Sequence, residues 1–365
     1  MSLGISIYVL PALRGDCLWV ECTRDAGPPW RLLVDGGMAG TWPVLRKHIA
    51  GLAQGMPLHI DLAVVSHIDS DHIGGMLQLF ASTDPKLTFG DIWFNGLPQL
   101  PEAGSARSRS VAEGERLVDL LGGQGGGAPL PWNARFGRAA AMTSGDGAYQ
   151  EIAYPDGPTL TLLSPTPKRL EALRKVWTSE LLLLQRGDPG EPPSAALRLP
   201  LDDLGALAAM QTTPDHSPAN GSSIAFLLEY AGRSCLLGAD AFSPVLGTAL
   251  TSLANARDGR PIDIDVFKLP HHCSKGNVTA SLLGVVPARH YVVSTNGDRF
   301  NHPDDIALAR VVTGTAGAKT LWFNYATGAT LRWTDAALQA RYSFDTQFPR
   351  ANDAGVRLEL EGKRA

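Results

Sequence analysis

The stretch Val64-Val65-Ser66-His67-Ile68-Asp69-Ser70-Asp71-His72-Ile73-Gly74-Gly75 constrains this chain more than any other. An apolar run ends in four imidazole and carboxylate groups within six residues, and the Gly pair that follows lets the backbone turn tightly into a helix. A loop at the end of a strand can aim all four side chains into one place. Divalent metals take deprotonated oxygen and imidazole donors from several directions, so one loop supplying four of them begins a two-metal site. A lone His here would read as a solvated turn beside a helix cap. The HxDxDH pattern between an apolar strand and Gly-Gly reads as a metal loop, and the chain as a metal-dependent hydrolase.

The surroundings suit such a loop. Ile5 to Leu10, Cys17 to Cys22, Arg31 to Val34 and Leu62 to Val65 are short apolar or β-branched runs broken by Gly, Pro and Asp, the pattern of successive strands. Trp42 to Ala53 carries apolar residues at helical spacing, giving a strand-helix-strand unit that ends at the metal loop. With 39 Gly and 26 Pro in 365 residues, turns and irregular loops are expected to outweigh long helices. They concentrate between Asn95 and Pro218, where Gly122 to Gly127 and Pro189 to Pro193 predict insertions and flexible loops that set specificity; Val111 to Leu121 and Leu170 to Gln185 are expected helices there, and Thr159 to Leu163 a strand. From Ile224 the pattern is regular again: a hairpin through Ala231-Gly232 to Gly238-Ala239-Asp240, strands at Val266 to Leu269 and Tyr291 to Ser294, and a closing hairpin from Thr320 to Asn324 with Thr330 to Trp333. Metal-type residues recur just after these strands.

A net charge of -4 lacks the basic excess of a general nucleic-acid binder, although a local basic groove remains compatible with it. The four cysteines show no CxxC pairing and read as free thiols. No run approaches the roughly 20 apolar residues of a membrane span, and the first residues do not follow a signal-peptide pattern, so a cytoplasmic protein without membrane partners is expected.

The ordered motifs Leu33-Val34-Asp35-Gly36-Gly37, the His67 to His72 loop, Asn220-Gly221-Ser222-Ser223, Gly238-Ala239-Asp240, Pro270-His271-His272-Cys273-Ser274-Lys275 and Asn301-His302-Pro303 together resemble the metallo-β-lactamase superfamily, whose loop is HxHxDH. Within it they are similar to the branch containing the hydrolase domain of ComEC-type DNA-uptake proteins, which also uses HxDxDH. The resemblance implies an α/β (α+β) fold, the αββα sandwich of two mixed sheets flanked by helices, in a single domain spanning residues 1–365. It implies His67 and Asp69 in a first metal site, Asp71 and His72 in a second, and Asp240 bridging both. His302 is the candidate for a further ligand of the second site, and the His271-His272 pair for another ligand, with His272 the working choice, or for a proton donor. Two divalent ions, Mn²⁺ or Zn²⁺ ahead of Mg²⁺ or Fe, would acidify a bridging water whose hydroxide attacks the substrate. Lys275, with Ser274 at a strand-to-helix junction, would face an anion, pointing to a phosphate-bearing substrate such as single-stranded DNA.

Several positions depart from the family pattern. Asp69 replaces an imidazole by a hard oxygen, favouring Mn²⁺ or Mg²⁺. Asn220-Gly221-Ser222-Ser223 stands where many relatives have a third histidine for the first site, and His216 is an alternative source. Cys273 stands where the branch commonly has Gly, as a packed small residue or as a thiol ligand. Asp35 is expected to orient the loop through hydrogen bonds; Asp16 either does the same or meets the substrate phosphate. The leading reading is a dinuclear phosphodiesterase or nuclease, with Asp71, His271, His272 and Lys275 as catalytic residues. The alternatives are an ester, lactone or thioester hydrolase on the same centre, and a non-catalytic metal-binding or interaction protein.

Overall fold

A computed structural model describes residues 3–101, 113–124, 128–185, 198–351 and 353–363. The Gly-rich expectation at Gly125 to Gly127, the Pro-rich one at Pro189 to Pro193 and the first two residues, Val111 and Ala112, of the expected helix lie outside the described residues.

Among the described residues fourteen strands form two sheets. The first six-stranded sheet has the order β14 (Val356–Glu361), β1 (Gly4–Val9), β2 (Leu18–Cys22), β3 (Trp30–Val34), β4 (Leu58–Val64), β5 (Leu87–Trp93). The eight-stranded second sheet runs β13 (Phe344–Gln347), β12 (Lys319–Phe323), β11 (Ala288–Val293), β10 (Ile264–Lys268), β9 (Arg233–Leu237), β8 (Ala225–Tyr230), β7 (Thr159–Ser164), β6 (Gln150–Ala153). Both sheets are mixed. The pairs β3·β4 and β4·β5 are parallel, as are the four pairs from β9 to β13, while the remaining pairs are antiparallel.

Period-two alternation sorts the side chains into three apolar layers. In β3, Leu32 and Val34 face the space between the sheets and Leu33 faces outward. Phe226 and Leu228 of β8 meet them from the other sheet, while Ala225 and Leu227 point away. Because both faces are buried, helices must cover the outer ones. Trp42–Ala53, which places Leu45, Ile49 and Ala53 on one face, and Ser70–Ala81 cover the first sheet; Ser243–Ala256 and Asp305–Gly314 cover the second. The result is the αββα sandwich of two mixed sheets flanked by helices.

The expected Trp42 to Ala53 helix is present with those bounds, and Thr159 to Leu163 forms β7. The region between Asn95 and Pro218 therefore contributes two strands to the second sheet, along with the Glu113–Leu121 and Pro167–Gln185 helices. The closing hairpin is not formed. Thr330 to Trp333 is helical because Thr327 and Thr330 exchange side-chain and backbone hydrogen bonds in a capping box that starts a turn at Gly328–Leu331. The strand beside β12 is instead β13, in parallel register. The four cysteines are free and buried. Among the described residues no helix is long and apolar enough to cross a membrane.

Candidate metal centre

The chemistry-bearing side chains gather where the parallel strands of both sheets end, the edge at which open α/β sheets bring loops together. The first sheet supplies His67, Asp69, Asp71 and His72 from the turn after β4. Close backbone approach fixes that turn: Gly75 N-H donates to Gly37 O (2.9 Å), and a Cβ on Gly75 would collide with the Gly36 carbonyl. The second sheet supplies Asp240 after β9, His271 and His272 after β10, and His302 beyond β11.

Four imidazoles share one arrangement. His72 Nδ1 donates to Asp35 Oδ2 (2.9 Å) and His272 Nδ1 to the Ser294 carbonyl (2.9 Å). His271 Nδ1 faces Asn277 Oδ1 (2.9 Å) and Asp215 Oδ2 (3.2 Å). Ser66 Oγ spends its proton on Asp35 Oδ2 (2.7 Å), so it accepts from His67 Nδ1 (3.0 Å). These partners accept, so a neutral ring carries its proton on Nδ1 and its lone pair on Nε2; the Asn220 amide nitrogen also lies 3.4 Å from His271 Nδ1 and the Ser223 hydroxyl 3.3 Å from His67 Nδ1. The four lone pairs turn toward Asp240: Nε2 of His72, His272, His271 and His67 lies 3.5, 3.6, 3.8 and 4.0 Å from its carboxylate. His72 Nε2 and His272 Nε2 are 3.3 Å apart, His272 Nε2 is 3.6 Å from Asp71 Oδ2, and His67 Nε2 is 3.5 Å from Asp69 Oδ2.

Lone pairs and carboxylates crowded in a buried space repel one another unless cations lie between them. His67 Nε2 and Asp240 Oδ1 are buried without any hydrogen bond. Two ligands about 2.1 Å from a tetrahedral ion sit roughly 3.4 Å apart, which matches the spacings here. The donor set thus fits divalent metal. Without metal, protons take up the strain. Burial alone would lower the imidazoles, but Asp240 and Asp35 hold His72 well above its usual range, and Asp240 with Asp215 raises His271 to about 9. Burial would raise Asp240, yet His272, His72 and His271 pull it well below the carboxylate range.

Supporting side chains explain the rigidity. Asp35 also accepts from Ser66 N (2.7 Å), so it binds the metal loop at three points, the orienting role expected from sequence. Asp16, His72, Asp240 and His272 each bring a donor atom within 4.8 Å of the others. Asp16 nevertheless approaches His272 from the Nδ1 side (3.5 Å) and is ion-paired with buried Lys268, which places it behind the ring. Burial would raise the Asp16 carboxyl, but Lys268 and His272 hold it well below its usual range.

His271, His272 and Cys273 all have left-handed φ (48°, 51°, 66°), a conformation that non-glycine residues adopt at a cost. The kink turns both imidazoles into the cluster. Cys273 itself is fully buried in the second sheet's outer core, and burial pushes its thiol well up, so it is a protonated packing residue. His302 stacks edge-on against His271 (centroids 5.4 Å), with Nδ1 3.4 Å from Asp304 Oδ2. Lys275 is half exposed, its ammonium 3.5 Å from Asp304 Oδ1. The expected strand-to-helix junction at Ser274-Lys275 is absent: Lys275 N-H donates to Asp304, and the next helix starts at Ala280 under a Thr279 cap. His216 is exposed, whereas its neighbour Asp215 reaches His271.

Sequence reasoning missed Asp215, Asn277, Lys268 and Ser294. Only Lys268 carried a signal, a charge inside the apolar run Val266-Phe267-Lys268-Leu269. The others act through atoms that no motif marks.

The model of the metallo-beta-lactamase superfamily matches residues 31–297 of this chain. Comparison with curated proteins gives no match. Among solved structures, the chain is similar to CmlA, a diiron beta-hydroxylase from Streptomyces venezuelae, at 12% identity and TM-score 0.40, covering 99% of this chain but 54% of that one. It thus spans about half of that protein's length. A metallo-β-lactamase with a HARLDQ motif from Cronobacter sakazakii matches at 15% identity and TM-score 0.30 over 72% of this chain and 76% of its own. The metallo-β-lactamase MIM-1 from Novosphingobium pentaromativorans matches at 15% identity and TM-score 0.31 over 84% and 87%.

Proposed function

Since the chain belongs to the metallo-beta-lactamase superfamily, a family of mostly hydrolytic metalloenzymes, we propose that it is a dinuclear phosphodiesterase of the ComEC-like kind, acting on single-stranded DNA or another nucleic acid. The observation that carries the reading is the convergence of Nε2 lone pairs and carboxylates on Asp240. His67 and Asp69 would hold the first ion and Asp71, His72 and His272 the second, with Asp240 between them. When bound, the two ions supply acidified water and a Lewis-acid grip on the scissile group's oxygens.

The remaining work belongs to the chain. Asp35, Ser66 and Ser294 fix the imidazole tautomers, so the donors are set before a substrate arrives. Three carboxylates, Asp69, Asp71 and Asp240, make the donor set harder than an all-imidazole site and favour Mn²⁺. Such ions suit phosphate oxygens. Lys275, half exposed beside Asp304, contributes positive charge for a phosphate.

Purified protein with Mn²⁺ should cleave bis(p-nitrophenyl) phosphate and a labelled single-stranded oligonucleotide, and Asp71→Ala and Asp240→Ala should lower both rates by on the order of 10³-fold. Turnover of ester, lactone or thioester reporters with neither phosphodiester cleaved would move the centre to acyl chemistry. Metal uptake with no turnover of any reporter would make it a binding protein.

A further inference from the structure

We infer that His271 is the missing ligand of the first metal site, held for that task by Asp215; the inference rests on the dinuclear reading above. That reading gives the second site three donors besides Asp240 but the first only His67 and Asp69. The Asn220-Gly221-Ser222-Ser223 segment, which the resemblance sets where many relatives have a third histidine, carries none, and His216 is exposed.

His271 has what a replacement needs. Its Nε2 is 3.8 Å from Asp240 Oδ2, the oxygen that His67 Nε2 also faces at 4.0 Å. Its Nδ1 is held from behind by Asn277 Oδ1 and Asp215 Oδ2. Asp215 is in turn fixed by Asn220 Nδ2 (2.7 Å), Asn277 Nδ2 (3.0 Å) and Ser217 N (2.9 Å). A carboxylate behind an imidazole whose far nitrogen points at other donors is the arrangement that Asp35 gives His72. Asn220 thus acts from the back: it secures Asp215, which secures His271. The left-handed backbone at His271 supplies the direction, since φ of 48° at that position turns its ring to the same cluster as its neighbour's. Asp215 is a positioning residue and His271 the ligand, which removes His271 from the role of proton donor.

Metal binding rather than turnover tests this. Chelator-stripped protein is titrated with Zn²⁺ by calorimetry, with bound metal counted after dialysis and folding checked by circular dichroism. Wild type should take up two equivalents and His271→Gln one. Asp215→Asn should keep two, the weaker bound 10–100-fold less tightly. His59→Gln, at an exposed histidine paired with Thr88 away from the cluster, should keep both with unchanged affinities. Two unaltered equivalents in His271→Gln, or loss of one in His59→Gln, would overturn the inference and leave the dinuclear reading standing. Fewer than two equivalents in wild type would overturn both.

Discussion

The two sheets contribute to the centre in opposite ways. The first delivers four donors from six consecutive residues, on a turn locked by Asp35 and by glycine-to-glycine backbone contact. The second delivers its donors from separate loops, bent inward by left-handed backbone and held by Asn277, Asp215 and the Ser294 carbonyl. The first half is rigid through packing; the second is rigid through side-chain hydrogen bonds and carries conformational strain. The halves meet at Asp240, and substitutions on each side should therefore fail differently.

Asp35→Ala should have the largest effect, because it strands the donors of Ser66 and His72 in a fully buried place. About 3–5 kcal/mol of stability should go, together with most metal affinity, read by chemical denaturation and by metal titration. A loss below about 1 kcal/mol would mean that the loop does not depend on that carboxylate. Gly75→Ala should follow, at about 1–3 kcal/mol, since a methyl group must displace the Gly36 backbone. Unchanged stability there would break the claim that backbone contact locks this half.

The pH response of metal-free protein sharpens the contrast, because the protons lie where the halves meet. His271, raised from 6.5 to about 9, contributes stability that is fully present below about pH 6.5 and is lost as pH rises through about 9. Asp240, pulled well below 3.8, contributes above that pH and loses its contribution on acidification through its lowered value. Chelated protein should accordingly melt highest at mildly acidic pH and progressively lower toward pH 9. Metal must displace the imidazole protons, so calorimetric affinity should rise over the same interval. A metal affinity independent of pH between 6.5 and 9 would contradict the assignment.

The smallest effect is expected at Cys273→Gly. Relief of a left-handed φ of 66° favours the variant by about 1 kcal/mol, while loss of a buried thiol from the core costs a similar amount. Thermal denaturation should place the two proteins within about 1 kcal/mol, and a larger loss would mean that the turn is not strained there.

What was legible in the sequence follows the same division. The His67 to His72 loop could be read because its donors are adjacent and lie between an apolar strand and paired glycines. The Trp42–Ala53 helix could be read because Leu45, Ile49 and Ala53 recur every four residues. The second half was legible only as scattered histidines and an aspartate after strands. Which nitrogen of His271 or His272 faces inward depends on Asn277, Asp215 and Ser294, and two of those contacts reach across more than 20 residues. The hairpin expected at Thr330 to Trp333 failed for a local reason, a Thr327-Thr330 capping box whose geometry competes with an extended reading of the same β-branched residues.

The central claim is that both sheets jointly build one two-ion centre around Asp240. Anomalous diffraction from crystals of Mn²⁺-loaded protein tests it most directly. Two manganese peaks are predicted, both in contact with Asp240, one beside His67 and His271 and the other beside His72 and His272. A single peak, or peaks remote from Asp240, would contradict the account.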